Sequence, residues 1–255
     1  MLGSGTSTGV PRLGGPSGAN WGSCDPAEPR NRRRRVSALV EGEGAAILID
    51  TGPDLREQLL DARVSHLDAI VWTHDHADHC HGIDDLRPLR FGRSQPIAGY
   101  ADDATLDTLR HRFDYVFAGQ FGYPSIVNGQ VFEGPVPIGK VTVRATSMPH
   151  GRIHSLGLRF DGPAASIGYA TDFSEITADM NRMFDGVDVL VVDALRRQPH
   201  PSHPNLEMVL DWLPVIRPGR TILTHLDFSM DYRTLQAELP DGVECGFDGL
   251  VAQLP

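Results

Sequence analysis

Short apolar runs bounded by turn-forming residues dominate the first third of the chain. Residues 36–40 (VSALV) and 46–50 (AILID) predict two strands, and the glycines between them predict an antiparallel hairpin. Thr51-Gly52-Pro53 ends the second strand, and leucines at helical spacing predict a helix over residues 54–62. The apolar run 69–73 then predicts a buried strand that leads directly into a cluster of histidines.

The rest of the pattern alternates between strands and helices. Helices are predicted over residues 101–111, 174–184, 206–216 and 232–239. Strands are predicted over residues 141–145, 156–160, 166–171, 187–192 and 221–224, with a last strand near Leu250. Residues 113–132 are aromatic-rich and predicted to be irregular. Because helices are interspersed among early and late strands without an internal repeat, we predict a layered α/β fold and one domain over residues 1–255.

Composition and net charge limit the classes of partner that the protein is expected to bind. The chain has 255 residues, of which 40% are hydrophobic and 22% charged, so it can bury a large core. A net charge of -10 argues against a broad nucleic-acid surface, because a polyanion would be repelled, but it permits small anionic substrates. No apolar stretch approaches the roughly 20 residues that span a bilayer, and the first ten residues lack the pattern of an export signal.

The number and spacing of the cysteines are typical of a cytoplasmic protein. Cys24, Cys80 and Cys245 are odd in number and far apart, which argues against a disulfide framework. We therefore expect a cytoplasmic protein without membrane association, in which each cysteine is a small buried thiol.

Residues 73–79 (THDHADH) contain the densest group of candidate functional side chains in the sequence. They place five potential metal ligands directly after a buried strand: His74, Asp75, His76, Asp78 and His79. Side chains at i and i+2 of an extended backbone point the same way, so the first two histidines can hold one ion, while the last two residues can serve a second. A solvated polar loop is the alternative, but burying so many polar groups without a cation would carry a heavy desolvation cost.

Four of these residues match a known signature. His74, His76, Asp78 and His79 reproduce the H-x-H-x-D-H motif of the metallo-β-lactamase superfamily, which the chain resembles. The resemblance implies a four-layer αββα sandwich with two divalent metal ions at one edge of its two sheets. Asp75 drops out of the implied ligand set.

The resemblance also assigns roles to residues outside the motif. His150 would complete the first metal site, Asp172 would bridge both ions, and His225 would join the second site. Taken alone, these residues could be a loop histidine, a helix N-cap and a core histidine, respectively. Asp50, which ends a strand, matches an early aspartate of the family that supports a metal-bound histidine; a turn-initiating aspartate is its alternative role.

Three further segments resemble one particular group within this superfamily. Residues 2–11 (LGSGTSTGVP), 31–35 (NRRRR) and 193–196 (DALR) resemble the PhnP group of phosphodiesterases, which is similar to phosphoribosyl 1,2-cyclic phosphate phosphodiesterase and, more distantly, to tRNase Z. The implied activity is hydrolysis of small cyclic-phosphate or nucleotide-like phosphodiesters by a hydroxide held between two Zn or Mn ions. His203 matches the group's proposed general acid, with His200 as its competitor, and Asp78 is counted with it among the catalytic residues.

One departure from the group concerns a second metal. PhnP-type enzymes often carry several cysteines near the N-terminal loop for a structural zinc, whereas this chain has only Cys24 there. Residues 21–29 must then be held in another way.

Several alternatives stay open at this stage. The arginines of residues 32–35 could be a solvated patch or could contact a substrate phosphate or a partner chain. The aromatic segment could roof the pocket, pack a subsidiary core or form a homodimer contact; its members are Tyr115, Phe117, Phe121 and Tyr123. Competing functions are a tRNase Z-like RNA-processing endonuclease, a metal-binding protein without turnover and, by fold name only, β-lactam hydrolysis.

Overall fold

The computed structural model describes residues 1–15, 17–120 and 122–254. The strands in these ranges are β1 (Arg12–Leu13), β2 (Ala19–Asn20), β3 (Ala38–Gly42), β4 (Ala45–Ile49), β5 (Ala69–Val71), β6 (Ile97–Ala101), β7 (Val127–Val131), β8 (Val136–Ile138), β9 (Val141–His150), β10 (Ile153–Asp161), β11 (Ser166–Ala170), β12 (Val189–Asp193), β13 (Arg220–Thr224) and β14 (Val243–Cys245). The α-helices are α1 (Leu55–Asp61), α2 (Ala77–Cys80), α3 (Arg87–Arg90), α4 (Asp103–Arg112), α5 (Asp114–Ala118), α6 (Ala178–Phe184), α7 (Leu206–Ile216) and α8 (Tyr232–Glu238), and short 3₁₀ turns cover Pro29–Asn31 and Ile83–Leu86.

Two large sheets form the centre of the molecule. The first has the strand order β3-β4-β5-β6-β7, and the second has the order β14-β13-β12-β11-β10-β9-β8. In the first sheet only β3 and β4 are antiparallel, whereas the second is antiparallel from β8 to β11 and parallel from β11 to β14. The predicted hairpin of residues 36–50 is therefore confirmed as the β3-β4 pair.

Three groups of buried apolar side chains separate the layers. Ile47 and Val71 of the first sheet pack with Leu158 and Val191 of the second, which places one core between the sheets. A second core lies between the first sheet and helices such as α1 and α4, and a third lies between the second sheet and helices α6 and α7. The order helix, sheet, sheet, helix confirms the predicted four-layer αββα sandwich.

Helix α7 illustrates how the local sequence produces an outer layer. The Asn205 side chain caps the helix by accepting a hydrogen bond from the backbone N–H of Met208, at 3.2 Å. Residues buried at helical spacing then face the sheet: Leu206, Val209, Trp212 and Ile216. The helix ends where Arg217 adopts a left-handed conformation, so the predicted bounds of residues 206–216 are confirmed.

The predictions for the middle of the chain need correction. Residues 113–132 are not irregular, because they contain α5 and β7, and residues 97–101 form a strand that ends where a helix was expected to begin. Both missed strands have a central glycine, which weakens the β pattern. Gly99 is required there, because a Cβ would lie 2.7 Å from the Trp72 ring. The prediction of a last strand near Leu250 is also wrong, since the final strand in the described residues is β14 at residues 243–245.

Strand ends from both sheets meet at one edge of the sandwich. Asp50, Asp172 and His225 directly or closely follow β4, β11 and β13, with positive φ angles of 61°, 62° and 57°. Left-handed backbone is uncommon for residues with a side chain and concentrates at functional sites.

No helix in the described residues is long and apolar enough to cross a membrane.

Candidate metal centre

The loop after β5 delivers the histidine cluster to the edge of the sandwich. His74 and His79 are fully buried, Asp78 is nearly so, and His76 is exposed at the N-terminus of α2. The ring of His74 lies 4.5 Å from that of His76 and 4.2 Å from that of His79, measured between centroids. The one-turn helix α2 thus turns the second half of the motif back towards the first.

Asp172 lies at the centre of the cluster. One of its carboxylate oxygens, Oδ2, is 3.3 Å from Nε2 of His79, and the other, Oδ1, is 3.8 Å from Nε2 of His150 and 3.7 Å from Nε2 of His225. Nε2 of His74 is 4.0 Å from Oδ1. The structure therefore brings together side chains from four separate parts of the chain.

The candidate ligands divide into two groups that share this carboxylate. His74, His76 and His150 form one group, and Asp78, His79 and His225 form the other, with potential ligand atoms within 4.8 Å of one another in each group. Asp172 forms a similar group with His74 and His79. All seven residues predicted as ligands thus lie in one cluster, and the pattern suits two cations bridged by one carboxylate.

The unpaired atoms of the cluster fit divalent cations. In the described part of the chain, Nε2 of His74, Nε2 of His79, Nε2 of His225 and Oδ2 of Asp172 are buried without a hydrogen-bond partner. Buried polar atoms are normally paired, so such convergence needs an explanation. Imidazole nitrogens and carboxylate oxygens are ligands that zinc and manganese accept, and a cation would satisfy all of them at once.

The electrostatics of the cluster also favour positive charge. Burial lowers the pKa of His74, which keeps its imidazole neutral and able to act as a ligand. Burial opposes ionisation of Asp172, but the neighbouring His225 and His79 outweigh it and hold the pKa of that carboxyl well below its usual range. Burial likewise lowers the pKa of His79, yet Asp172, Asp78 and Asp50 reverse the effect and raise it.

Two of the histidines are oriented from behind by other groups. Asp50 accepts hydrogen bonds from Nδ1 of His79 at 2.7 Å and from the backbone N–H of Thr73 at 2.7 Å. Nδ1 of His150 lies 2.7 Å from the backbone oxygen of Ser202. Such contacts select the tautomer of a histidine and aim its other nitrogen. The geometry around Asp50 is the one that its predicted supporting role requires.

His203 lies beside the cluster, and His200 lies farther out. Nδ1 of His203 is 2.9 Å from Oδ2 of Asp193 and 3.6 Å from Oδ1 of Asp172, and its side chain is 14% exposed. Its ring stacks on that of His225 with centroids 4.9 Å apart. The His200 ring lies 5.0 Å from that of His203, and its Nδ1 accepts from the backbone N–H of Ser202. Of the two histidines, His203 is therefore the one that lies against the candidate ligands.

Asp193 is a site residue that the sequence analysis used only as part of a family segment. It is fully buried at the end of β12 and accepts hydrogen bonds from His203 and from the backbone N–H of Asp172, the latter at 3.1 Å. A signal for it was present in the sequence. Asp50 and Asp193 each end or follow a buried apolar strand, and Asp172 follows another after one intervening residue.

The arginine run is mostly engaged within the chain. Arg33 is buried and donates to the backbone oxygens of residues 227 and 230, Arg34 pairs with Asp61, and Arg35 pairs with Asp54 at 2.9 Å. Only Arg32 of the run is exposed, and its guanidinium lies 5.3 Å from the centroid of the Trp21 ring.

The aromatic segment contributes mainly to packing. Phe117 packs against Trp72 with ring centroids 6.2 Å apart, and the Tyr115 hydroxyl donates to Asp84 at 2.7 Å. Tyr123 is 74% exposed, and Phe121 lies outside the described residues.

Comparison with known families and structures shows what the chain is similar to. The family described as "Beta-lactamase superfamily domain" matches residues 45–226. A crystal structure of a new diphosphatase from the PhnP family is 35% identical, with a TM-score of 0.88 over 98% of this chain and 93% of that one. The short form of human tRNase Z, at 18% identity, has a TM-score of 0.72 over 100% of this chain and 98% of that one, which shows a shared fold alone.

Curated sequences that match the chain are longer proteins. An octanoyltransferase of Porphyromonas gingivalis is 34% identical over 259 residues, which cover 99% of this chain and 50% of that protein. A ribonuclease Z of Kineococcus radiotolerans is 27% identical over 143 residues, or 53% of this chain and 45% of that protein. The chain thus spans about half the length, or less, of the curated relatives it matches.

Proposed function

The chain belongs to the metallo-β-lactamase superfamily and, within it, to the PhnP family, and from this membership we propose that it hydrolyses small phosphodiesters with two bound divalent ions. The match to the superfamily and the likeness to a PhnP-family diphosphatase support metal-dependent hydrolase activity. One observation carries the proposal: Asp172 lies between two groups of histidines, and His203, a potential proton donor, is 3.6 Å from the same carboxylate.

The two groups of side chains would hold the two ions. His74, His76 and His150 suit one ion, Asp78, His79 and His225 suit the other, and Asp172 suits both. Nitrogen and oxygen donors of this kind accept Zn²⁺ or Mn²⁺. Bound there, divalent ions supply an activated water at neutral pH and neutralise charge on the phosphoryl oxygens.

His203 would deliver the proton that the leaving group needs. Because its Nδ1 is held by Asp193, Nε2 is the nitrogen that would donate to a departing alkoxide. When an alkoxide leaves phosphorus, the P–O bond breaks, its electron pair stays on oxygen, and the proton from Nε2 neutralises it. Histidine suits this step because it changes its charge near neutral pH.

Diphosphate hydrolysis is a second candidate, and one finding favours it. The 35% identical structure is that of a PhnP-family diphosphatase. The same attack on phosphorus would then expel a phosphate group, a weaker base than an alkoxide, and depend less on His203. The octanoyltransferase name belongs to a protein of which this chain matches half, and acyl transfer is not part of the proposal.

A direct test compares metal-free and metal-restored protein. We expect the protein stripped of metal to be inactive towards bis(p-nitrophenyl) phosphate and to regain turnover with Mn²⁺ or Zn²⁺. The variant Asp172→Asn should stay folded by circular dichroism and lose turnover, because Asp172 is the shared carboxylate. No turnover by metal-loaded wild-type protein on this ester or on a panel of cyclic and diphosphate substrates would refute the proposal.

The RNA-processing alternative has its own test. The net charge of -10 and the small size of the expected substrate lead us to expect no cleavage of a precursor tRNA at low salt. Cleavage at a rate comparable with that on small esters would favour the nuclease instead.

A further inference from the structure

Asp75 belongs to the histidine cluster in sequence, but its carboxylate pairs with Arg112, a residue of α4. Its Oδ2 accepts from Nη2 of Arg112 at 3.0 Å, and its backbone oxygen accepts from Nη1 of the same guanidinium at 2.5 Å. One arginine therefore holds both the side chain and the peptide group of Asp75. This explains why Asp75 is not among the candidate ligands.

His76, the next residue, is a candidate ligand whose ring has no carboxylate or carbonyl oxygen beside it within the described residues. The histidines at positions 79, 150 and 203 each have a carboxylate or carbonyl oxygen within 2.9 Å of Nδ1, and Nδ1 of His74 lies 3.1 Å from the Thr73 hydroxyl. The ring of His76 is exposed, and among the described residues its one recorded polar contact is with Nε2 of His150, at 3.3 Å. The ring of His76 also meets those of His74 and His150 edge-on, with centroids 4.5 and 5.0 Å apart. All of these contacts are with other candidate ligands, so the support that His76 receives from outside the ligand set acts on its backbone.

The backbone at this point is clamped from two sides. The Cys80 thiol donates to the backbone oxygens of Asp75 and His76, at 3.4 and 3.2 Å. Arg112 approaches from α4, of which it is the last residue. A guanidinium that bonds a carboxylate and a carbonyl together makes charge-assisted contacts with little freedom to rotate. The peptide group between Asp75 and His76 is therefore fixed.

The helix that carries Arg112 is itself fastened to the histidine loop. Directly after α4, the Tyr115 hydroxyl donates to Asp84 at 2.7 Å, and the Phe113 ring meets the His81 ring edge-on with centroids 5.6 Å apart. The segment that carries Arg112 is thus held against the residues that follow the histidine motif by contacts independent of Arg112.

We propose that Arg112 is a positioning residue that orients His76 for metal binding through the peptide group of Asp75. The proposal rests on the proposed metal centre and adds a residue outside it. Loss of a group that orients a metal ligand typically lowers metal affinity about 10- to 100-fold. Because His76 belongs to only one of the two groups of ligands, one of the two binding steps should weaken.

The test is a calorimetric titration of metal-stripped protein with Mn²⁺, accompanied by thermal melts of the metal-free form. Arg112→Gln should weaken one binding step about 10- to 100-fold and leave the other within about threefold. Arg110→Gln is the matched control, because Arg110 is an exposed arginine of the same helix, as Arg112 is, but donates to the backbone oxygen of Gly129 and lies near Asp107 instead of Asp75. Its binding steps should both equal those of the wild type.

The single variant Asp75→Asn and the double variant of Asp75 and Arg112 test whether Arg112 acts through Asp75. The double variant Asp75→Asn with Arg112→Gln should bind Mn²⁺ no more weakly than Arg112→Gln alone, because both changes break the same contact. Independent effects that multiply in the double variant would overturn the proposal.

Two other results would also overturn it. One is wild-type affinity in Arg112→Gln, and the other is equal weakening of both steps together with a lowered melting temperature of the metal-free protein. If wild-type protein binds no Mn²⁺ or Zn²⁺ in the same titration, the proposed function fails as well; if it binds and Arg112→Gln is unaffected, only this inference fails.

Discussion

Asp193 holds His203 by a carboxylate oxygen that also fixes the backbone of the proposed bridging residue. Oδ2 of Asp193 accepts from Nδ1 of His203 at 2.9 Å and from the N–H of Asp172 at 3.1 Å. The proposed acid and the proposed bridging carboxylate are therefore both held in place by the last residue of the buried strand β12. His203 lies on an irregular segment, and this contact gives it a defined position beside the metal cluster.

We predict that His203→Ala affects substrates according to their leaving groups. For a phosphodiester with an alkoxide leaving group, such as a 2′,3′-cyclic nucleotide, kcat should fall about 10²- to 10⁴-fold, because no proton reaches the departing oxygen. For bis(p-nitrophenyl) phosphate the loss should be far smaller, since p-nitrophenolate leaves without protonation. Steady-state kinetics on both substrates, with metal content measured in parallel, check this.

The control is the neighbouring His200→Ala. Its ring lies one position farther from the cluster, so both substrates should be turned over at rates close to those of the wild type. Equal losses on the two substrates in His203→Ala, or a larger effect from His200→Ala, would show that His203 is not the acid.

We predict that Asp50→Asn weakens metal binding without unfolding the protein. An asparagine has one acceptor oxygen, so it cannot serve His79 and the N–H and hydroxyl of Thr73 as the carboxylate does. Metal affinity should fall about 10- to 100-fold, measured by calorimetric titration with Mn²⁺. Asp54→Asn, whose carboxylate pairs with Arg35 instead, should bind as the wild type does. Unchanged affinity in Asp50→Asn would contradict its supporting role.

The sequence predicted elements best where an apolar period ended in a clear cap or turn. Helix α7 has both Asn205 as its cap and a buried face at regular spacing, and its bounds were predicted correctly. Strands β6 and β7 were missed because Gly99 and Gly129 interrupt their patterns, although tight packing against neighbouring side chains requires both glycines. Strand β8 is a three-residue edge strand with a central proline, which no local pattern favours.

The candidate site was predictable to the extent that its residues are close in sequence. The motif of residues 74–79 is local, whereas His150, Asp172 and His225 were found through resemblance, because local patterns do not show which strand ends meet. Asp193 looks like any strand end until its contact with His203 is seen. Arg112 looks like a surface residue of a helix, and its partner Asp75 is 37 positions away.

Arg33 provides an answer to how the loop of residues 21–29 is held. It is 2% exposed and donates to the backbone oxygens of Met230, at 2.7 Å, and Asp227, at 3.3 Å, while its Nη1 lies 3.8 Å from the Cys24 sulfur. Within the described residues no carboxylate lies in ion-pair range of it. The guanidinium therefore ties the N-terminal loop to the segment that follows His225.

We predict that Arg33→Met lowers the free energy of unfolding by about 1–3 kcal/mol, because two buried carbonyls lose their donor. Removing a buried charge offsets part of the loss, which keeps the expected value below that of a large core cavity. Urea unfolding of the two proteins measures the difference. Arg32→Met is the control, since its exposed guanidinium over Trp21 should contribute no more than about 1 kcal/mol. An equal or larger effect in the control would contradict this account.

Glu28 should make stability depend on acidity. Its carboxylate accepts from Nε of Arg30 and from Nε of Arg233, both at 2.6 Å, and the hydrogen bond from Arg30 is the main reason that its pKa is lowered to about 2. The unfolded chain binds this proton near pH 4.3. A depressed pKa stabilises the fold above the unfolded value, and the contribution is lost as the pH falls towards 2.

We therefore predict that the unfolding free energies of wild type and Glu28→Gln differ most above pH 5 and converge between about pH 4.5 and 2. Urea unfolding at a series of pH values measures the difference at each point, so that titration of other groups cancels. Glu57→Gln serves as the control, because within the described residues Glu57 pairs with its exposed neighbour Arg56 alone, and such pairs contribute little at any pH. A difference between wild type and Glu28→Gln that stays constant from pH 6 to 2.5 would mean that the buried contacts do not favour the ionised carboxylate.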